Sequence, residues 1–395
     1  MNIPLLLVAA TLAGAAAPDA SVLATAQQAA QQSEITSADL DAAIEKLGSL
    51  DFPVRSQASR VIRRAPAAQA VPMLIEAASA HKDGYTRFRA LVLLTGFSDS
   101  RADALMLQLL PDPNDRVRAV AYGWFEHRPN PAATAPMLKA LEEEASEFVR
   151  PALTRTLAAY DDPSVRAAMG ALVSKGQDFF RSIVIEALGD YKASHAASAI
   201  AAVARLDGPL QDDAALALGK IGDRKYLATL AEIQRTAPRD RQPSIAAAIC
   251  LLGVNCPAHE KYLADALRFG ISNDGYQPLL RSAAGGLGAL AIAGRTSALE
   301  TLVDAGIPSK DPARAAIALA LGTVAMRNTT MLLEWVAGRT DIDAVADLLG
   351  EAFDMLEEDL DEERFYVTVR RAYWQAPEGS PVKAAAEALI RKLEF

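Results

Sequence analysis

The residues able to do chemistry are few and scattered. His81, His127, His195 and His259 lie far apart, without the spacing of a shared metal site. His259-Glu260, inside "AHEKY", is one isolated His-Glu pair. No G-x-S-x-G elbow is present, and neither cysteine has a histidine near it in sequence. Catalytic, cofactor and metal residues are therefore predicted as none. Cys250 and Cys256 sit in "ICLLGVNCP", on either side of a helix end with Gly253 at the turn. A disulfide would need Cα atoms about 4.4–6.8 Å apart, which a helix turn closed by a glycine can supply. The alternative is a buried Cys250 and an incidental Cys256, and the sequence leaves both open.

Charge is the other chemical resource, and it is localised. Between Thr340 and Glu363 stand eleven acids and no Lys or Arg. The net charge is −9, so everything outside this segment sums to +2. Asp343, Asp347, Glu351, Asp354, Glu358 and Asp361 recur at intervals of three and four, which predicts one helical face. Val345, Leu348, Leu349, Ala352, Phe353, Leu356 and Leu360 would fill the opposite face. A solvated surface is the ordinary explanation for such a stripe. The sharper one is a docking face for a basic partner segment, since like charges at this spacing cost a helix a few tenths of a kcal/mol each. The DxDxDG pattern of a calcium loop is missing. A basic loop, "RTAPRDRQP" at 235–243, has no interleaved aromatics, and with a pI of about 5.2 the sequence predicts no nucleic-acid partner.

Positioning these groups falls to helices. The chain has 395 residues, 51% hydrophobic and 6% aromatic, rich in Ala and without sustained strand-like alternation. A hydrophobe followed by Arg recurs as Val54-Arg55, Phe88-Arg89, Val117-Arg118, Val149-Arg150, Phe180-Arg181 and Leu280-Arg281, with Ala313-Arg314 and Val382-Lys383 as looser copies. The mean step is close to 33 residues, a solenoid period. Each unit reads as two helices. In residues 145–176 the first breaks at Asp161-Asp162-Pro163, where Pro suits the first turn of the next, and Gly176 ends the second. Leu-Gly recurs at Leu188-Gly189, Leu218-Gly219, Leu252-Gly253, Leu287-Gly288 and Leu321-Gly322. A helical glycine costs about 1 kcal/mol against Ala, so its repetition predicts a repeated close helix contact.

These features resemble HEAT repeats, an armadillo-type fold, of the short bacterial kind also found in bilin-lyase-like proteins. The resemblance covers about residues 37–395 and implies an all-α, right-handed α-solenoid of about eleven helix pairs. It also implies a structural ladder through Arg55, Arg89, Arg118, Arg150 and Arg181, answered by Asp51, Asp83, Asp115, Glu147 and Asp178. Residues 1–26 read as a secretory signal peptide cleaved between 15 and 26, followed by a linker over 27–36. No later segment reaches the roughly 18 apolar residues of a membrane span. The sequence therefore predicts a periplasmic or secreted monomer, a non-enzymatic scaffold binding another protein through its solenoid surfaces. The rival is an enzyme on the same repeats, bilin-lyase-like or a metal-dependent hydroxylase.

Overall fold

The computed structural model describes residues 35–356 and 358–395. The expected signal peptide, most of the linker, and Glu357 lie outside these residues. Among the described residues there are helices and no strands. The first pair is α1 (Ser37–Lys46) and α2 (Phe52–Arg64), followed by α3 (Ala67–Ala80) and α4 (Gly84–Phe97), then α5 (Asp103–Leu109) and α6 (Asp115–His127). The middle of the chain gives α7 (Pro131–Glu143), α8 (Arg150–Ala158), α9 (Pro163–Leu172), α10 (Asp178–Asp190), α11 (Ala197–Ala204), α12 (Gln211–Ile221), α13 (Leu227–Thr236) and α14 (Gln242–Leu251). The remainder is α15 (Cys256–Ser272), α16 (Gln277–Ile292), α17 (Thr296–Gly306), α18 (Ala313–Arg327), α19 (Thr329–Val336), α20 (Ile342–Leu356), α21 (Asp359–Gln375) and α22 (Pro381–Leu393). From α4 to α22 each even-numbered helix packs on the next even-numbered one, forming a single continuous layer.

Local chemistry explains the breaks. Asp162 accepts hydrogen bonds from the Ser164 and Val165 amides, capping α9 with Pro163 in its first turn. Gly176 then adopts φ +101°, a left-handed turn that a side chain would strain. The repeated helical glycines are contact residues. A Cβ on Gly189 would stand 2.8 Å from the Ala217 Cα, and one on Gly219 would stand 2.5 Å from the Ala248 Cα. Both pairs bring neighbouring even-numbered helices to backbone contact. Gly253 differs: it has φ +77° and open space around it, so it serves the turn between the cysteines.

The ladder differs from expectation in one rung. Arg118 grips Glu144 with two 2.9 Å bonds and donates to the Asp112 carbonyl at 2.7 Å. Arg150 donates to the Glu144 carbonyl at 2.8 Å, and Arg181 to the Val173 carbonyl at 3.0 Å. Arg55 reaches the Ser49 carbonyl at 2.7 Å. In the second unit this position belongs to Arg87, which takes the Ala78 carbonyl at 3.0 Å and pairs with Asp112. Arg89 instead pairs with Asp359 at 2.8 Å. The expected rung failed because a buried threonine, Thr86, stands where the other units carry a hydrophobe. The answering acids also shift. Asp178 meets Arg181, but Asp83 caps the Thr86 amide and Asp115 accepts from the Ser146 hydroxyl.

The larger departure is closure. Helix α21 packs against α4 and α6 as well as against α18, α19 and α22. The last repeat therefore lies across the interior of the first ones. Of the solenoid surfaces expected to meet a partner, the one over α4 and α6 is occupied by the chain itself.

Candidate functional site

The acidic segment is two helices, not one. α20 ends at Leu356 and α21 begins at Asp359, so the three-and-four spacing is interrupted before Glu358. Asp343, Asp347, Glu351 and Asp354 stay exposed on α20. Asp343 meets Arg391 at 3.2 Å, Asp347 meets Lys392 at 2.9 Å, and Glu351 takes both branches of Arg314 at 2.7 and 2.8 Å. Glu358 and Asp361 leave that face and turn inward to Arg327, with Glu358 at 2.7 Å. They are corrected from surface docking residues to members of an interior charge network.

That network holds α21 in place. Arg63 on α2 forms a two-branched pair with Glu363 at 2.5–3.0 Å, with side chains only 7% and 1% exposed. Gly96 makes room for it: a Cβ there would stand 2.7 Å from the Glu363 Oε1 atom. Gly123 on α6 does the same for Leu360, at 3.0 Å. Arg370 donates to the Arg63 carbonyl at 2.7 Å, and Arg63 lies 5.1 Å from the Tyr366 ring centre. Arg155 on α8 bridges Glu126 at 3.0 Å and Asp190 at 2.7 Å, and Lys220 meets Asp190 at 2.7 Å.

Glu126, Arg155, Asp190, Lys220, Arg327 and Asp361 are among the residues lining a cavity of about 590 Å³. Burial opposes the charge on Arg327, yet Asp361 and Glu358 beside it hold its pKa well above the ordinary value. Burial works against the Asp361 carboxylate too, and Arg327 overrides it, holding that pKa well below the usual range. Glu358 goes the other way, raised by burial despite the same arginine. Burial also lifts Asp213 to about 6, although the Ser182 hydroxyl donates to it at 2.6 Å. The arrangement suits fixing structure: each carboxylate named around the cavity meets a cation.

Cys250 and Cys256 are joined by a disulfide, with Cα atoms 4.5 Å apart. The histidines stay dispersed. His127 contacts Arg364, and His81 lies 3.3 Å from Glu45. Among the described residues no group of three or more His, Cys, Asp or Glu is placed to hold a metal ion. No single described helix is long and apolar enough to cross a membrane.

Sequence reasoning missed Arg63, Arg155, Arg327 and Glu363. Arg63 and Glu363 stand 300 residues apart, which local spacing cannot signal, while Arg155 and Arg327 meet acids 29–35 residues away but fall outside the repeated hydrophobe-Arg cue. One local signal did exist: Gly96 and Gly123 lie late in their helices and mark the seat of α21.

In comparison with known proteins, residues 40–123 and 102–189 match the model of the HEAT repeats family. No curated protein matches the chain. Among solved structures, YibA of Escherichia coli is 16% identical, covering 56% of this chain and 83% of its own, with a TM-score of 0.40. Human deoxyhypusine hydroxylase in complex with glycerol is 18% identical over 54% of this chain and 84% of its own, with a TM-score of 0.28. Importin beta is 12% identical over 91% of this chain and 57% of its own, with a TM-score of 0.37. At these scores none of the three bears on the site.

Proposed function

We propose that this chain, whose residues 40–189 are HEAT repeats, is an exported, non-enzymatic scaffold that acts as a monomer and binds another protein. The observation carrying this reading is the row of four carboxylates left on the outside of α20. Asp343, Asp347 and Glu351 are 65%, 53% and 46% exposed, and their cations come from other helices. Exposed pairs of this kind contribute about 0–1 kcal/mol, so a basic partner segment can replace Arg391 and Lys392 at little cost. Asp354 extends the row.

The interior charges do not compete for this role, because they already hold α21 against the first repeats. Clustered surface charge acts mainly on association rate and selectivity, and salt weakens it. The test is capture of partners from the native envelope by crosslinking, with the wild type and with Asp343, Asp347 and Asp354 reversed to Lys. A partner lost on reversal, and lost with rising salt, supports the reading. A partner bound equally well by the reversed chain, without salt dependence, removes the acidic row from the function. Mass spectrometry of the native protein tests export, and an intact Met1 on a cytosolic protein overturns it.

A further inference from the structure

Where the C-terminal half of α21 meets the ends of α2 and α4, the chain gathers more cations than it answers. Arg63 is taken up by Glu363, with two of its nitrogens engaged at 2.5–3.0 Å. Beside it, Arg370 donates through Nη2 to the Arg63 carbonyl at 2.7 Å. Among the described residues, Arg64, Arg370 and Arg371 form no ion pair. Arg60, one turn earlier on α2, has Glu394 at 4.0 Å and a buried Nε without an acceptor. Burial and the neighbouring Arg63 push the Arg370 pKa below the ordinary arginine value, Glu363 opposes them, and Arg64 pushes it down further.

Helix ends account for part of this cluster. Arg63 and Arg64 lie in the last turn of α2, where cations complement the helix C-terminus. Arg370 and Arg371 precede the last turn of α21, which holds no basic residue. Both instead line a cavity of about 220 Å³, together with Gly96, Phe97, Val367 and Trp374. Trp374 is 71% exposed, with its indole touching Tyr373 edge to face at 5.1 Å. Removing charge from water without a partner is costly, so an anion entering this cavity is stabilising.

The charge and size of the cavity select a class of ligand. Neutralising Arg370 and Arg371 together takes two negative charges in one small group. A carboxylate supplies one; a phosphate monoester supplies about 1.5 to 2, and its oxygens accept from guanidinium forks. Sites that enclose a whole small molecule measure about 300–1,000 Å³. This cavity is smaller, so the remainder of the ligand lies outside it, where the exposed indole of Trp374 offers a face for a planar ring. We infer that Arg370, Arg371 and Trp374 bind a phosphate monoester carried by a planar aromatic ring, the chemistry of a nucleoside monophosphate. The phosphate occupies the cavity, the ring stacks on the indole, and Arg64 adds attraction from α2. This site is separate from the acidic row on α20 and takes a ligand of opposite charge.

The experiment is calorimetric titration of the full-length protein with adenosine 5′-monophosphate at about 0.15 M salt, where loosely held charge is screened. The comparison ligands are adenosine, adenosine 5′-carboxylate and glycerol 3-phosphate, which lack the charge, one of its two units, and the ring. The monophosphate is expected to bind at least tenfold tighter than each of them. Arg371→Ala is expected to weaken it about tenfold. Trp374→Ala should weaken it about five- to tenfold while leaving glycerol 3-phosphate within twofold. Arg391→Ala, on the far acidic row, should leave all affinities within twofold. Equal binding of any comparison ligand would overturn the inference, since charge or ring would then not be read. So would no binding of the monophosphate at millimolar concentration, or an affinity unchanged by either Arg371→Ala or Trp374→Ala. Because the ligand comparisons use the unaltered protein, they decide the matter even if a variant fails to fold.

Discussion

Replacing Glu363 by Gln keeps the shape of the side chain and removes its charge. Arg63 would then sit 7% exposed without the carboxylate that pairs with it. Arg370, which donates to the Arg63 carbonyl, would lose the one anion that favours two arginines sharing the place; burial and Arg63 already push its pKa down, and Glu363 opposes them. Breaking a buried pair from one side costs about 3–5 kcal/mol, whereas replacing both members by apolar side chains of similar size is often close to neutral. Urea denaturation of Glu363→Gln, Arg63→Met, and the double variant Arg63→Met/Glu363→Leu therefore has a defined pattern. Each single change is expected to lower stability by about 3 kcal/mol or more, and the double change by clearly less than either sum. Asp343→Asn, which breaks the exposed pair with Arg391, is the control and is expected to cost about 0–1 kcal/mol. Small-angle scattering should show the single variants larger than the wild type, since α21 is the strap between the first and last repeats. If Glu363→Gln cost no more than Asp343→Asn and left the dimensions unchanged, the pair would not be holding the closure.

Deleting α21 and α22 is expected to speed amide exchange in α2 and α4, measured by mass spectrometry, although those helices are some 270–300 residues away in sequence; an ordinary nearest-neighbour solenoid would show the change only in α18 to α20. Gly96→Ala should destabilise by about 1–3 kcal/mol, because its Cβ meets the Glu363 carboxylate. Gly285→Ala, with nothing within 4 Å on the same kind of helix, should stabilise by about 0.5–1 kcal/mol; equal effects in thermal melts would refute the contact argument. Asp213 has its pKa raised in the fold to about 6 from 3.8, so the folded state binds more protons and stability falls as pH rises from 3.8 through 6. Asp213→Asn is accordingly expected to gain about 2–3 kcal/mol over the wild type at pH 7.5 relative to pH 4, and a gain independent of pH would contradict the assignment.

What could be read from the sequence divides along a physical line. The helix pairs, their period and the packing role of Gly189 and Gly219 depend on residues within about one repeat of each other. Such features leave a periodic trace: Pro163 at a helix start, Gly176 at a turn, alanines where helices touch. The ladder was legible to within one turn and slipped at Arg89 because Thr86 hides the cue. The acidic stripe misled for two reasons. No Pro or Gly marks the break between Leu356 and Asp359, so a helical spacing carried across it joined residues that face different ways. The absence of Lys and Arg within the segment also conceals its partners: Arg63 and Arg89 arrive from distant parts of the chain, and Arg327 from the preceding repeat.

The second error has a general cause in closed repeat arrays. Charge neutrality is enforced in space, over the roughly 8 Å screening length of physiological salt, and not along the chain. A solenoid that closes can place its acids on the last repeats and the matching arginines on the first, provided that the ends meet. A run of eleven acids with an almost balanced remainder is the sequence form of that separation. Its two halves then have opposite fates. On α21, Glu363 and Asp359 are the complement of Arg63 and Arg89 on the first helices, and the interior cost of burying them ties closure to correct pairing. On α20, Asp343, Asp347 and Glu351 face outward and are met by Arg391, Lys392 and Arg314 from other helices. The boundary between these fates lies between Leu356 and Asp359, so the residues worth reversing in a binding test are Asp343, Asp347 and Asp354. Reversing Asp361 or Glu363 instead would test the fold, and any loss of binding that followed would say nothing about the surface.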